Sequence, residues 1–156
     1  MAEVTELGFS SGRPTRQLLL VLPELLPEVW PEVEHLFLEN AQVWDEYYTL
    51  ESIQYWLVKN TMQLWTLSDD EEYLLAWITE LREYPKVTVL NFPIILGSKL
   101  YDNLDLLDCV EMWARKQGAT KSCVFGRKGF LRALKPYGYE QKGVTLSKNI
   151  SHMVEH

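Results

Sequence analysis

Lys86-Val87-Thr88-Val89-Leu90-Asn91-Phe92-Pro93-Ile94-Ile95-Leu96 is an apolar run of strand length with a proline inside it. Pro93 has no N–H to give to a neighbouring strand, so it marks a bulge or an unpaired position. Upstream, Met62-Gln63-Leu64-Trp65-Thr66-Leu67 alternates and ends in the polar turn Ser68-Asp69-Asp70-Glu71-Glu72. Tyr73 to Leu81 then returns as a second strand, so the two runs predict a hairpin. Downstream, Asn103 to Gln117 carries Leu104, Leu107, Val110 and Ala114 on one stripe and is stopped by Gly118, which predicts a helix. Ser122-Cys123-Val124-Phe125 reads as a short buried strand. A hairpin followed by a strand–helix–strand crossover implies a mixed sheet with helices on both faces.

The flanks complete the pattern. Residues 1–15 hold Gly8, Ser10, Ser11, Gly12 and Pro14 and read as a flexible lead-in. Arg16 to Leu22, closed by Pro23, suits a buried strand. From Pro27 to Val43, Val29, Val33, Leu36 and Phe37 fall at helical spacing, with Pro31 expected in the tolerant first turn. A second helix starts at the N-cap candidate Thr49 and runs to about Lys59. Phe130 to Tyr137 is a short basic helix, and Gly143-Val144-Thr145-Leu146-Ser147 a last strand. The expected order is β-α-α-β-β-β-α-β-α-β, an α/β fold with one domain over 16–150 and a tail at 151–156.

Composition bounds the function. The 156 residues are 47% apolar, too few for two ordinary domains and ample for one core. No run approaches the roughly 18 to 20 apolar residues of a membrane helix. Glu3 and Glu6 precede any apolar stretch, unlike a secretory signal. Cys109 and Cys123, with three scattered His, make neither a metal site nor a disulfide framework, and a cytoplasmic setting is expected. Charge is uneven. Residues 1–114 hold 6 basic and 20 acidic side chains, a net of −14, whereas 115–156 hold 9 and 2, a net of +7. The basic end either meets an acidic partner, phosphate or nucleic acid, or folds against the acidic body. The acidic run at 69–72 reads as a solvated hairpin tip.

The element order over 16–148 resembles that of the GNAT superfamily of acyl-CoA N-acyltransferases. Phe125-Gly126-Arg127-Lys128-Gly129-Phe130-Leu131-Arg132-Ala133-Leu134-Lys135-Pro136-Tyr137-Gly138-Tyr139 is similar to the end of a GNAT domain. More narrowly, it resembles short GNAT-like proteins of tailed bacteriophages. The resemblance implies that the third strand splays from a parallel neighbour and receives the pantetheine arm of acetyl-CoA. Leu90, Asn91 and Phe92 would then offer backbone groups, and Gly97, Ser98 and Lys99 would meet the pyrophosphate.

Two departures bear on activity. The family's Gln/Arg-x-x-Gly-x-Gly/Ala loop is here Leu96-Gly97-Ser98-Lys99-Leu100-Tyr101, with one glycine, and Asp102, Asp105 and Asp108 follow it. Three acids there oppose a polyanion. The family's general-acid Tyr falls on Leu134, which has no proton to donate. Glu80 is the candidate general base, with Glu83 beside it. Trp44, Tyr47 and Tyr48 are candidates for an interaction surface or for an aromatic-rich core, and the basic Arg127, Lys128 and Arg132 for an interaction surface or a solvated helix face. The sequence thus favours a non-catalytic GNAT-fold protein without coenzyme, contacting other phage proteins in the host cytoplasm or the virion. An acetyl-CoA-dependent N-acetyltransferase is the alternative, and nucleic-acid association through 115–148 a weaker one.

Overall fold

A computed structural model describes residues 4–6, 16–126 and 128–154. Among these described residues, six strands form one sheet in sequence order: β1 (Val4–Glu6), β2 (Arg16–Val21), β3 (Gln63–Asp69), β4 (Glu72–Glu83), β5 (Thr88–Gly97) and β6 (Lys121–Val124). The first four pairings are antiparallel, and β5–β6 is parallel. The described residues also form four α-helices: α1 (Leu26–Glu39), α2 (Leu50–Val58), α3 (Leu107–Lys116) and α4 (Lys128–Leu134). The mixed α/β sheet is the fold class read from sequence.

Successive side chains of a strand face opposite ways, and that alternation places the helices. Leu64, Ala76, Ile78, Ile94 and Leu96 join α1 and α2 residues in one core, which includes Val33, Phe37, Ile53 and Leu57. Trp65, next to Leu64, lies edge-on to Trp113 of α3, with ring centroids 5.3 Å apart. Leu107, Val110 and Ala114 are buried, as their stripe predicted. The hairpin turns on Asp70 and Glu71, both left-handed (φ 50° and 67°), because a two-residue turn of this hand matches strand twist. Thr49 caps α2 by accepting from Ser52 N–H at 3.0 Å, and Ser52 Oγ accepts from Thr49 N–H in return.

Several expectations are corrected. Val4–Glu6, within the supposed lead-in, pairs with β2. A 3-10 turn at Pro23–Leu25 moves the start of the first helix, so Pro31 lies inside α1 and not in its first turn. The helix expected from Asn103 begins as a 3-10 segment, Tyr101–Leu106, interrupted at Asn103 (φ −125°). Gly143 to Ser147 forms no strand: Val144 and Leu146 are 76% and 90% exposed, with no apolar face to bury them. Separately from these corrections, the chain divides into two compact units, Met1–Phe125 and Gly126–His156. No helix among the described residues is long and apolar enough to cross a membrane.

Candidate active site

A break in the ladder lies where β4 meets β5. The register passes from Ile78 opposite Ile94 to Glu80 opposite Asn91, so Phe92 and Pro93 together face Thr79. Proline's missing N–H suits a bulge, where a ladder bond is already lost. Thr79 is fully buried there. Its hydroxyl donates to Gln63 Oε1 at 2.9 Å and accepts from Trp65 Nε1 at 3.0 Å.

The parallel pairing ends at the same place. Val89 to Phe92 are matched with Lys121 to Val124, and β6 then stops while β5 continues to Gly97. From Pro93 to Gly97, among the described residues, β5 has a strand beside it only on the β4 side. A ligand with amide groups could therefore pair along that edge.

The loop that follows is held from several directions. Gly97 is left-handed (φ 116°), and a Cβ there would collide with the Leu74 carbonyl oxygen. Ser98 N–H donates to that same oxygen at 3.1 Å. Lys99 is also left-handed (φ 57°), unusual for a residue with a side chain. Asn103, fully buried, donates from Nδ2 to the Lys99 carbonyl at 2.8 Å and accepts from Arg16 Nη1 at 2.8 Å. Arg16, at the start of β2 and 5% exposed, also grips Asp105 through Nη2–Oδ2 at 3.1 Å and Nη1–Oδ1 at 3.3 Å. The backbone N–H groups of Lys99, Leu100 and Asp102 have no acceptor among the described residues.

Across the bulge, Glu80 continues the face of Ala76 and Ile78, towards α1 and α2. Its Oε1 lies 3.3 Å from Arg82 Nη2. Tyr48, half-buried against the core, lies within electrostatic reach of this pair. Burial, with Glu80 adding to it and Arg82 opposing, raises its phenol above the ordinary value. A carboxylate and a guanidinium thus meet where the ladder opens, with a phenol in their field.

No family model matches the sequence, and no curated protein does. Solved structures do. A GCN5-related N-acetyltransferase from Ralstonia eutropha aligns with TM-score 0.63 at 12% identity, over 87% of this chain and 99% of its own. An aminoglycoside acetyltransferase from an uncultured soil metagenomic sample, solved with sisomicin, aligns at 0.65 and 12%, over 87% and 97%. A "predicted acetyltransferase" from Clostridium acetobutylicum, solved with acetyl-CoA, aligns at 0.61 and 12%, over 86% and 96%. The fold is that of the GNAT acetyltransferases. None of these similarities ties the chain to tailed bacteriophages.

Within the GNAT fold, the residues singled out from sequence take distinct places. Leu90 and Asn91 are buried and paired with both β4 and β6, whereas Phe92, also buried, is paired with β6 and lies in the bulge towards β4. Gly97, Ser98 and Lys99 lie in the loop that follows β5, with Lys99 at the position of the second Gly/Ala of the GNAT pattern. The three acids are not equivalent. Asp102 and Asp108 are exposed, whereas Asp105 is engaged by Arg16. Trp44 is no surface residue: it is 6% exposed and its Nε1 donates to the Phe37 carbonyl at 2.9 Å. Tyr47 is 75% exposed and Arg132 is exposed, while Arg127 and the Lys128 side chain lie outside the described residues. Leu134 is buried. Sequence reasoning missed Arg16 and Asn103, whose only local signal was a charge heading an apolar strand.

Proposed function

We propose that the chain is an acetyl-CoA-dependent N-acetyltransferase. The observation that carries this reading is the coincidence, at Phe92 and Pro93, of the β4–β5 bulge with the end of β5–β6 pairing. That leaves an open backbone edge leading into a braced loop. The edge from Pro93 to Gly97 would hold the pantetheine amides, and the loop amides with the Lys99 ammonium would meet the phosphates. Asp105 opposes them less than its sequence position implied, because Arg16 offsets its charge. Acetyl-CoA supplies a thioester carbonyl open to attack by an amine.

Glu80 is the general base in this reading. As the amine nitrogen bonds to the acetyl carbon and the C–S bond breaks, the amine proton passes to Glu80, directly or through water. Leu134 cannot protonate the departing thiolate, so water takes that role. The net charge of −14 over 1–114 favours a cationic amine as acceptor, drawn by the field of the body. The test is release of the coenzyme thiol with a panel of mono- and polyamines. Turnover that falls on the order of a hundredfold in Glu80→Gln supports the reading. No thiol release with any amine contradicts it.

One observation favours a second reading. A buried leucine at 134, where the resemblance calls for tyrosine, suits a GNAT shell kept for contacts with other proteins, as in a phage assembly component. That reading requires the purified chain to ignore acetyl-CoA.

A further inference from the structure

The geometry points to Arg16 and Asn103 as positioning residues that hold the 97–102 loop in its ligand-receiving form, a role that rests on the acyl-CoA reading above. Lys99 occupies a left-handed conformation that a glycine adopts freely and a lysine resists. Something outside the loop must hold it there. Asn103 does so through the Lys99 carbonyl, and it can, because its own carboxamide oxygen is fixed by Arg16 at 2.8 Å. Arg16 is in turn fixed by two contacts to Asp105 and by its place in β2, paired opposite Asp69.

The chain of contacts runs from strand β2 through a guanidinium and a carboxamide to one strained peptide. It performs two tasks. It sets the direction of the peptide groups beside Lys99, and it places a positive charge against the Asp105 carboxylate. Both favour a polyanion at the loop, and neither touches the pantetheine edge at Pro93–Gly97. Loss of the brace should therefore weaken the phosphate-bearing part of the coenzyme selectively.

The experiment compares two probes, acetyl-CoA and S-acetylpantetheine, which carries the same thioester arm without phosphates. Their dissociation constants are measured by calorimetry for the wild-type chain, Arg16→Gln, Arg16→Lys and Asn103→Ala, at a temperature where each is folded. The expected result is a loss on the order of tenfold for acetyl-CoA in Arg16→Gln and Asn103→Ala, with S-acetylpantetheine unchanged and partial recovery in Arg16→Lys. Should Arg16→Gln not fold, Asn103→Ala decides, since it keeps the Arg16–Asp105 pair. Equal losses for both probes, or none, overturn the positioning role while leaving the acyl-CoA reading intact. A wild-type chain that binds neither probe overturns that reading, and the positioning role with it.

Discussion

The Arg16 guanidinium grips the Asp105 carboxylate across 89 residues of sequence, with Nη2 3.1 Å from Oδ2 and the arginine side chain only 3% exposed. A buried charge must be matched, because desolvation costs more than a surface pair returns. Replacing Asp105 by Asn takes the carboxylate charge away from a buried cation, and replacing Arg16 by Gln takes the guanidinium away from Asn103 and Asp105. Each change should cost roughly 3 kcal/mol of stability. The double variant should cost clearly less than the sum, measured by urea midpoints. Simple additivity would show that the two residues act separately.

Gly97 and Lys99 are both left-handed but should respond oppositely. Gly97→Ala meets the Leu74 carbonyl and should lose more than 1 kcal/mol or fail to fold. Lys99→Gly removes the strain and should be neutral or stabilising by up to about 1 kcal/mol. Thermal melts of the two variants distinguish these outcomes, and destabilisation by Lys99→Gly would refute the strain.

Trp65 and Trp77 are cross-strand partners, both 1% exposed or less, with different polar fates. Trp65 Nε1 donates to Thr79, whereas Trp77 Nε1 finds no acceptor among the described residues. Substitution by Phe removes some packing at either site, but only at Trp65 does it also remove a buried hydrogen bond. Trp65→Phe should therefore cost about 1 kcal/mol more than Trp77→Phe. Equal costs would argue that the Thr79 bond contributes nothing.

Cys109 tests the charge around the brace. Burial first, then Asp108 and Asp105, raise its thiol above the ordinary value of 9.0, while Arg16 opposes them. A raised pKa keeps the thiol protonated, so alkylation at mildly alkaline pH should be slower than for a free thiol. The sign for stability follows: because the folded pKa lies above the unfolded one, this contribution is full below the unfolded pKa. It is lost as pH rises through the folded pKa. Arg16→Gln should slow alkylation further, and faster alkylation in a folded variant would contradict the assignment.

Local pattern carried the fold as far as local physics reaches. Alternation at Leu64–Leu67, the stripe Leu104–Leu107–Val110–Ala114 and the proline in β5 each report one element's own burial or ladder. Val4–Glu6 is a strand only because β2 lies beside it, which three residues near glycines and serines do not announce. Val144 and Leu146 alternate like a strand, yet no strand forms there. Arg16 and Asn103 escaped notice because their bond joins positions 87 residues apart. Asp105 was read as an acid facing a polyanion, when its partner lay on a distant strand. Trp44 is a surface candidate in sequence but a core residue in the fold, because its burial depends on the turn after α1.

The most direct test of the acyl-CoA reading is thermal unfolding of the chain with and without excess acetyl-CoA. At about 100 times its dissociation constant the ligand should add nearly 3 kcal/mol of stability, seen as a rise in melting temperature. An unchanged melting temperature at millimolar acetyl-CoA would contradict the account and leave a GNAT fold that serves another partner.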